Sequence, residues 1–97
     1  MSNRAADSDI REFLLQHAEW SRDGAEISRT FLLRDFNEAL GFVVRIGLLS
    51  EVADHHPDID IRWNKVTVTL TTHSASALTT KDTELATAFD VIAPPQA

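Results

Sequence analysis

The sequence predicts an α+β fold, a four-stranded antiparallel sheet with helices packed on one face, in the order α-β-β-α-β-β-α. Three observations predict it. Residues 59–71 alternate largely between apolar and polar side chains, the period of a half-buried strand. Two turn signals, Asp23-Gly24 and Asn64-Lys65, fold strand-like pieces into two hairpins. Apolar residues at helical spacing flank those hairpins behind capping patterns. Two hairpins can form one antiparallel sheet, and apolar helix stripes can cover one of its faces.

Residues 1–7 are small and polar and are expected to fray. Ile10, Phe13, Leu14 and His17 keep helical spacing, and Ser8 or Asp9 can cap the start, so a first helix is expected over about 9–17. Residues 19–23 read as a short strand carrying Trp20, turned at Asp23-Gly24 into residues 26–33. There Ile27, Phe31 and Leu33 fall on one side, and Arg29 interrupts the alternation. Asp35-Phe36-Asn37-Glu38 is a capping box that opens a long central helix. Its apolar stripe holds Phe36, Ala39, Leu40, Val43, Ile46 and Leu49, and Phe42, Val44 and Leu48 widen it past one core-facing side. A helix of that kind is usually covered on more than one side, and in a chain this small the second cover is another subunit.

The central helix runs into Glu51-Val52-Ala53-Asp54-His55-His56-Pro57. Proline disfavours helical geometry in the residue before it, so the helix is expected to end at or near His56. Beyond it, Ile59, Ile61 and Trp63 alternate with Asp58, Asp60 and Arg62, and Val66, Val68 and Leu70 with Thr67, Thr69 and Thr71, around an Asn64-Lys65 turn. The Thr67, Thr69 and Thr71 row reads as the outer face of that strand. Residues 72–78 are a loop. Thr79-Thr80-Lys81-Asp82 is a second capping pattern, Leu85, Phe89 and Ile92 mark its helix, and Ala93-Pro94-Pro95 stops it.

The 97 residues suffice for one domain spanning 1–97, with a core thin enough for oligomerisation to help it. The net charge of -6 argues against a broad phosphate-binding surface and so against direct nucleic-acid binding. With no cysteine, disulfides and thiolate chemistry are excluded. The N-terminus has no apolar signal region and no segment reaches membrane-spanning length, so no membrane association and a cytoplasmic location are expected.

The residues suited to chemistry gather at predicted element ends. His55 and His56 sit at a helix C-terminus, where the dipole favours protonated imidazole. Glu51, four residues before His55, can meet it on one helix face, and a carboxylate there fixes a tautomer and favours the charged ring. His73 lies at a strand end, and Asp82, on the apolar stripe of Leu85, Phe89 and Ile92, needs a partner that His73 could supply. The plainer readings are a His-His-Pro helix stop and an Asp82 that only caps its helix. Three histidines could also bind zinc, but adjacent histidines seldom point at one metal and no recognised zinc spacing is present. His17 is assigned no role.

Glu51-x-x-x-His55-His56-Pro57, Trp63-Asn64-Lys65-Val66, Leu70-Thr71-Thr72-His73, Leu78-Thr79-x-x-Asp82 and Leu85-Ala86, in this order and at these intervals, resemble the pterin-4a-carbinolamine dehydratases. The resemblance reaches back to Trp20, the Phe31 strand and the Asp35-Phe36 helix start. It implies the fold just derived, a homodimer or homotetramer, and dehydration of a 4a-hydroxytetrahydropterin to quinonoid dihydropterin and water. Such a role recycles tetrahydrobiopterin or a similar pterin and links the chain functionally to an aromatic amino-acid hydroxylase. The implied catalytic residues are His55, His56, His73 and Asp82. Substrate-binding candidates are His56, Glu51, Thr71, Thr72 and Trp20, the last falling on a tryptophan near the family's pocket. His55 and His73 are expected to transfer protons and His56 mainly to hold the pterin, with no metal and no cofactor beyond the pterin substrate. Trp63 stands where the family commonly has Tyr, Ala77 where a Gly usually precedes the Leu, and Ser74 where an acidic residue is common, which bears on substrate fit. The rival expectations are a protein-binding module, in the manner of family members that act as coactivators, and a pterin-binding protein of another pathway such as molybdopterin metabolism.

Overall fold

The computed structural model describes residues 3–96. Within them the chain forms α1 (Asp7–Gln16), β1 (Ser21–Asp23), β2 (Glu26–Leu32), α2 (Phe36–Ala53), β3 (Asp58–Arg62), β4 (Lys65–Leu70), a 3-10 turn (His73–Ala75) and α3 (Thr80–Ile92). The four strands make one antiparallel sheet, as the element pattern predicts, and their order in it is β1-β2-β4-β3.

Register decides which face is buried. Ile27 pairs with Leu70, Phe31 with Val66, and Ile59 with Val68, so these side chains share a face. Ile27, Phe31, Val66, Val68 and Leu70 on that face are fully buried against Ile10, Phe42, Ile46, Leu85 and Phe89 of the three helices. Each such side chain contributes roughly 1.5–3 kcal/mol relative to exposure. The opposite face is polar, and across it the Thr30 and Thr67 hydroxyls share a hydrogen bond of 2.8 Å. Arg29, which interrupts the hydrophobic pattern of β2, pairs with Val68 and lies on the core face. Its Nη1 reaches Asp90 Oδ1 of α3 at 2.7 Å, and its guanidinium carbon sits 4.2 Å from the centre of the Phe31 ring. The buried charge is held by a carboxylate and an aromatic face.

Four boundaries differ from the sequence reading. The first helix begins at Asp7, with Ala6 at its N-cap and no side-chain capping bond, so neither Ser8 nor Asp9 caps it; Asp7 is helical and Ala5 N–H bonds Leu78 O at 2.8 Å. Of the stretch expected to fray, Asn3 and Arg4 are exposed and outside any helix or strand, and Met1 and Ser2 lie outside the described residues. Trp20 precedes β1 rather than lying in it.

The central helix stops at Ala53, before the point set by Pro57. Asp54 takes the left-handed conformation (φ 50°), its N–H bonds Glu51 O at 3.2 Å, and His55 N–H bonds Ser50 O at 3.1 Å. This closure satisfies the last carbonyls and turns the chain off the helix axis two residues early.

The second hairpin turns on Trp63-Asn64, not Asn64-Lys65, with Arg62 paired to Lys65 and Trp63 at φ 49°. Asn64 explains the shift. Its side-chain amide nitrogen donates to Leu33 O at 2.9 Å and its backbone carbonyl accepts from Leu33 N–H at 2.8 Å, tying the turn to the β2–α2 connection. These two tertiary bonds fix the register against the local preference for Asn at the first turn position.

Candidate active site

The early end of α2 determines where the histidines point. Off the helix axis, His55 swings toward the start of α3 and its Nε2 lies 2.6 Å from Asp82 Oδ1. Asp82 is fully buried. Its other oxygen accepts from Thr79 N–H at 2.9 Å and from the Thr72 hydroxyl at 2.8 Å. Thr72 and Thr79 hydroxyls are themselves 2.8 Å apart. The two sequence readings of Asp82, cap or histidine partner, are both realised, one on each carboxylate oxygen. The capping box of α3 fixes the carboxylate, and the carboxylate fixes the ring.

His55 is the partner of Asp82 in place of His73, and Glu51 reaches His56 in place of His55. Glu51 Oε1 is 2.5 Å from His56 Nε2, an exposed contact around the turn at Asp54. The i,i+4 expectation fails because the helix has already ended when His55 is reached. His73, at the start of the 3-10 turn, is exposed and makes no side-chain hydrogen bond among the described residues.

A cleft of about 270 Å³ brings these groups together. His55, His56 and His73 line it with Thr71 and Thr72 of the strand end. Thr71 is held by a 2.5 Å bond from its hydroxyl to Ala25 O. Asp54, Ser74 and Lys81 complete the wall. Lys81 was not singled out from sequence, although its position between Thr79 and Asp82 places it at the opening of α3 beside the capping box. With Nε2 of His55 bonded to Asp82, Nδ1 is its other ring nitrogen, with no hydrogen bond to the described residues.

Trp20 does not join this cleft. It is buried in the core, edge-on to Phe31, and its indole N–H donates to both oxygens of Asp90 at 3.0 Å. Asp90 lies toward the far end of α3 from Asp82. His17 meets the same carboxylate at 2.8 Å and stacks on Phe13 at 4.6 Å between ring centres. The loop after His73 is shaped by Ser76 in the left-handed region (φ 49°), with Ala77 buried and bridged to Thr72.

The comparisons with known proteins follow this geometry. A family model described as pterin 4 alpha carbinolamine dehydratase matches residues 3–92. The chain belongs to that family. A relative from Roseiflexus sp. (strain RS-1), provisionally named a pterin-4-alpha-carbinolamine dehydratase, is 52% identical over 92 residues, covering 95% of this chain and 99% of its own. The crystal structure of a transcriptional coactivator/pterin dehydratase from Brucella melitensis superposes with a TM-score of 0.89 at 35% identity, over 95% of this chain and all of the other. A pterin dehydratase-like protein identified as a RuBisCO assembly factor in the alpha-carboxysome shares the fold, with a TM-score of 0.63 at 19% identity over 74% of this chain and 83% of its own. The family and the fold are thus those of the pterin dehydratases.

Proposed function

We propose that this chain dehydrates 4a-hydroxytetrahydropterins to quinonoid dihydropterin and water by histidine acid–base catalysis. The observation that carries the reading is the buried Asp82–His55 pair opening onto a cleft that His56 and His73 also line. In the reaction the C4a–OH bond breaks and the oxygen leaves as water after taking a proton. The N5–H bond breaks in turn, and its electron pair forms the C4a=N5 double bond. One proton must be delivered and one removed, which two imidazoles can do.

The environments divide the work. A carboxylate on one ring nitrogen holds the proton there, leaves the other nitrogen basic, and stabilises the imidazolium once formed. Asp82 stands so to His55, which makes His55 Nδ1 the base toward N5–H. His73, exposed at the opposite wall, delivers the proton to the departing oxygen. His56, braced by Glu51, holds the pterin with Thr71. The pathway this implies is recycling of a tetrahydropterin after an aromatic amino-acid hydroxylase, in the cytoplasm. The direct test supplies 4a-hydroxytetrahydropterin and compares its dehydration with the uncatalysed rate. A rate equal to buffer rejects the proposal.

A second reading rests on α2. Phe36, Leu40, Val44, Leu48 and Val52 recur every four residues, and all five are exposed, Val52 by 88%. A contiguous apolar ridge normally marks an interface. We read it as the contact of a homodimer, or of a homotetramer with the sheet edge as the second contact. The relative described as a transcriptional coactivator/pterin dehydratase leaves room for a protein-binding role on the same ridge.

A further inference from the structure

The histidine cleft has an apolar neighbour. Between the C-terminal end of α2 and the first turns of α3 lies a groove of about 480 Å³, walled by Leu49, Val52, Ala53, Leu85 and Ala88. Lys81 and Glu84 of α3 also line it, bringing charge to an otherwise apolar wall. His55 and Lys81 line both this groove and the cleft, so His55 stands as the partition between them. The acid–base chemistry proposed above uses none of the apolar wall.

The connectivity of the substrate says what belongs there. The reacting atoms are C4a and N5, and N5 is bonded to C6, the carbon at which pterins carry their variable substituent. A side chain that reaches N5–H is therefore within a few bonds of that substituent. On the dehydratase reading, on which this inference rests, His55 is that side chain, and the space behind it is the groove. We propose that the groove is the subsite for the C6 substituent. Its wall selects a substituent with an apolar body, alkyl or aryl, over a short polyhydroxylated chain. Lys81, at the junction of cleft and groove, offers a hydrogen-bond donor to a polar terminus.

The size of the effect follows from area. Each methylene carried from water into an apolar wall is worth about fourfold in kcat/KM. A phenyl or propyl group should then gain roughly tenfold or more over methyl. The experiment measures kcat/KM for 4a-carbinolamines bearing 6-methyl, 6-propyl, 6-phenyl and 6-dihydroxypropyl groups. It uses the wild-type chain, Ala88→Phe to fill the groove, and Val52→Asp to charge its wall. Val52 is 88% exposed, so its replacement leaves the core intact if the Phe variant fails to fold. The expected result is a preference for 6-propyl and 6-phenyl in the wild type that falls at least tenfold, relative to 6-methyl, in either variant. Equal kcat/KM across substituents, with catalysis present, overturns the inference and leaves the dehydratase reading standing. No acceleration with any carbinolamine rejects both. A Val52→Asp variant that halves the mass seen by light scattering and keeps the wild-type preference also overturns it, because the groove then belongs to an interface with a second copy.

Discussion

Asp82 offers the sharpest separation of fold from chemistry, because each of its oxygens has a different employer. Asp82→Ala leaves the buried Thr79 N–H without an acceptor, which costs roughly 1–3 kcal/mol, and it loses the hydrogen bond to His55 as well. The total expected is about 2–4 kcal/mol from a domain whose whole stability is of order 5–15 kcal/mol. At about 4–8 °C per kcal/mol for a chain of this size, Tm should fall by roughly 10–25 °C. Asp82→Asn behaves differently. Its amide oxygen can still accept from Thr79 N–H and the Thr72 hydroxyl, so the cap survives. Its amide nitrogen then faces His55 Nε2 as a donor, where the native carboxylate accepts. The ring must present a lone pair at Nε2 and carry its proton on Nδ1, the reverse of what a base at Nδ1 requires. Asp82→Asn should therefore melt within about 5 °C of wild type and dehydrate its substrate about a hundredfold more slowly. Differential scanning fluorimetry and stopped-flow dehydration assays give the two numbers. An Asn variant with near-native turnover would refute the assignment of Asp82 as the group that orients His55.

Three further outcomes are expected. His55→Ala and His73→Ala should each slow the catalysed step about a hundredfold or more, while His56→Ala should raise KM with a smaller loss in kcat; steady-state kinetics on the three variants checks the division of roles. The purified chain should hold no stoichiometric zinc and keep its activity in EDTA, and a chelator-sensitive rate restored by zinc would replace imidazole acid–base chemistry with a metal mechanism. Val44→Asp, on the outer face of α2, should lower the mass measured by light scattering without disturbing the core. Wild-type chain running as a monomer at high micromolar concentration would show that the ridge has no second copy on it.

Much of this was legible before any coordinates. The alternation around Val66, Val68 and Leu70 fixed which face of the sheet is buried, and all three side chains are at zero exposure. The pattern Thr79-x-x-Asp82 located both the start of α3 and the carboxylate that caps it. What stayed hidden was set by tertiary bonds. Asn64 turns the hairpin one residue early because it bonds Leu33 on a segment thirty-one residues away. The pairing of the site changed for a similar reason. From spacing, Glu51 meets His55 and Asp82 awaits His73. One residue in the left-handed region, Asp54, turns the chain so that Glu51 meets the next residue, His56, and His55 is released to take the place expected of His73 beside Asp82. Helix periodicity describes contacts only as far as the helix extends, and Pro57 sets an outer limit to that extent without stating where it falls.

The same helix carries a second histidine–carboxylate pair, and the two differ in their surroundings. Asp82 and Asp90 are both on α3, and each meets a histidine, at 2.6 Å and 2.8 Å. Asp90 also receives Arg29 and the Trp20 indole, so its charge is answered inside the fold, and His17 packs flat on Phe13. That network joins α1, β2 and α3, and its work is finished when the chain is folded. Asp82 receives only neutral groups besides His55, the Thr72 hydroxyl and the Thr79 N–H. Among the described residues no Lys or Arg bonds it, so His55 is its one ionisable partner. His55 in turn borders open space on two sides, with the other two histidines of the motif on one of them. A fully buried carboxylate whose one ionisable partner among the described residues is a histidine at the edge of a cleft is the arrangement that the proposed chemistry uses. His17 lines a cleft of about 330 Å³ of its own, but no second histidine stands in it, and Asp90 is already bonded by Arg29 and Trp20.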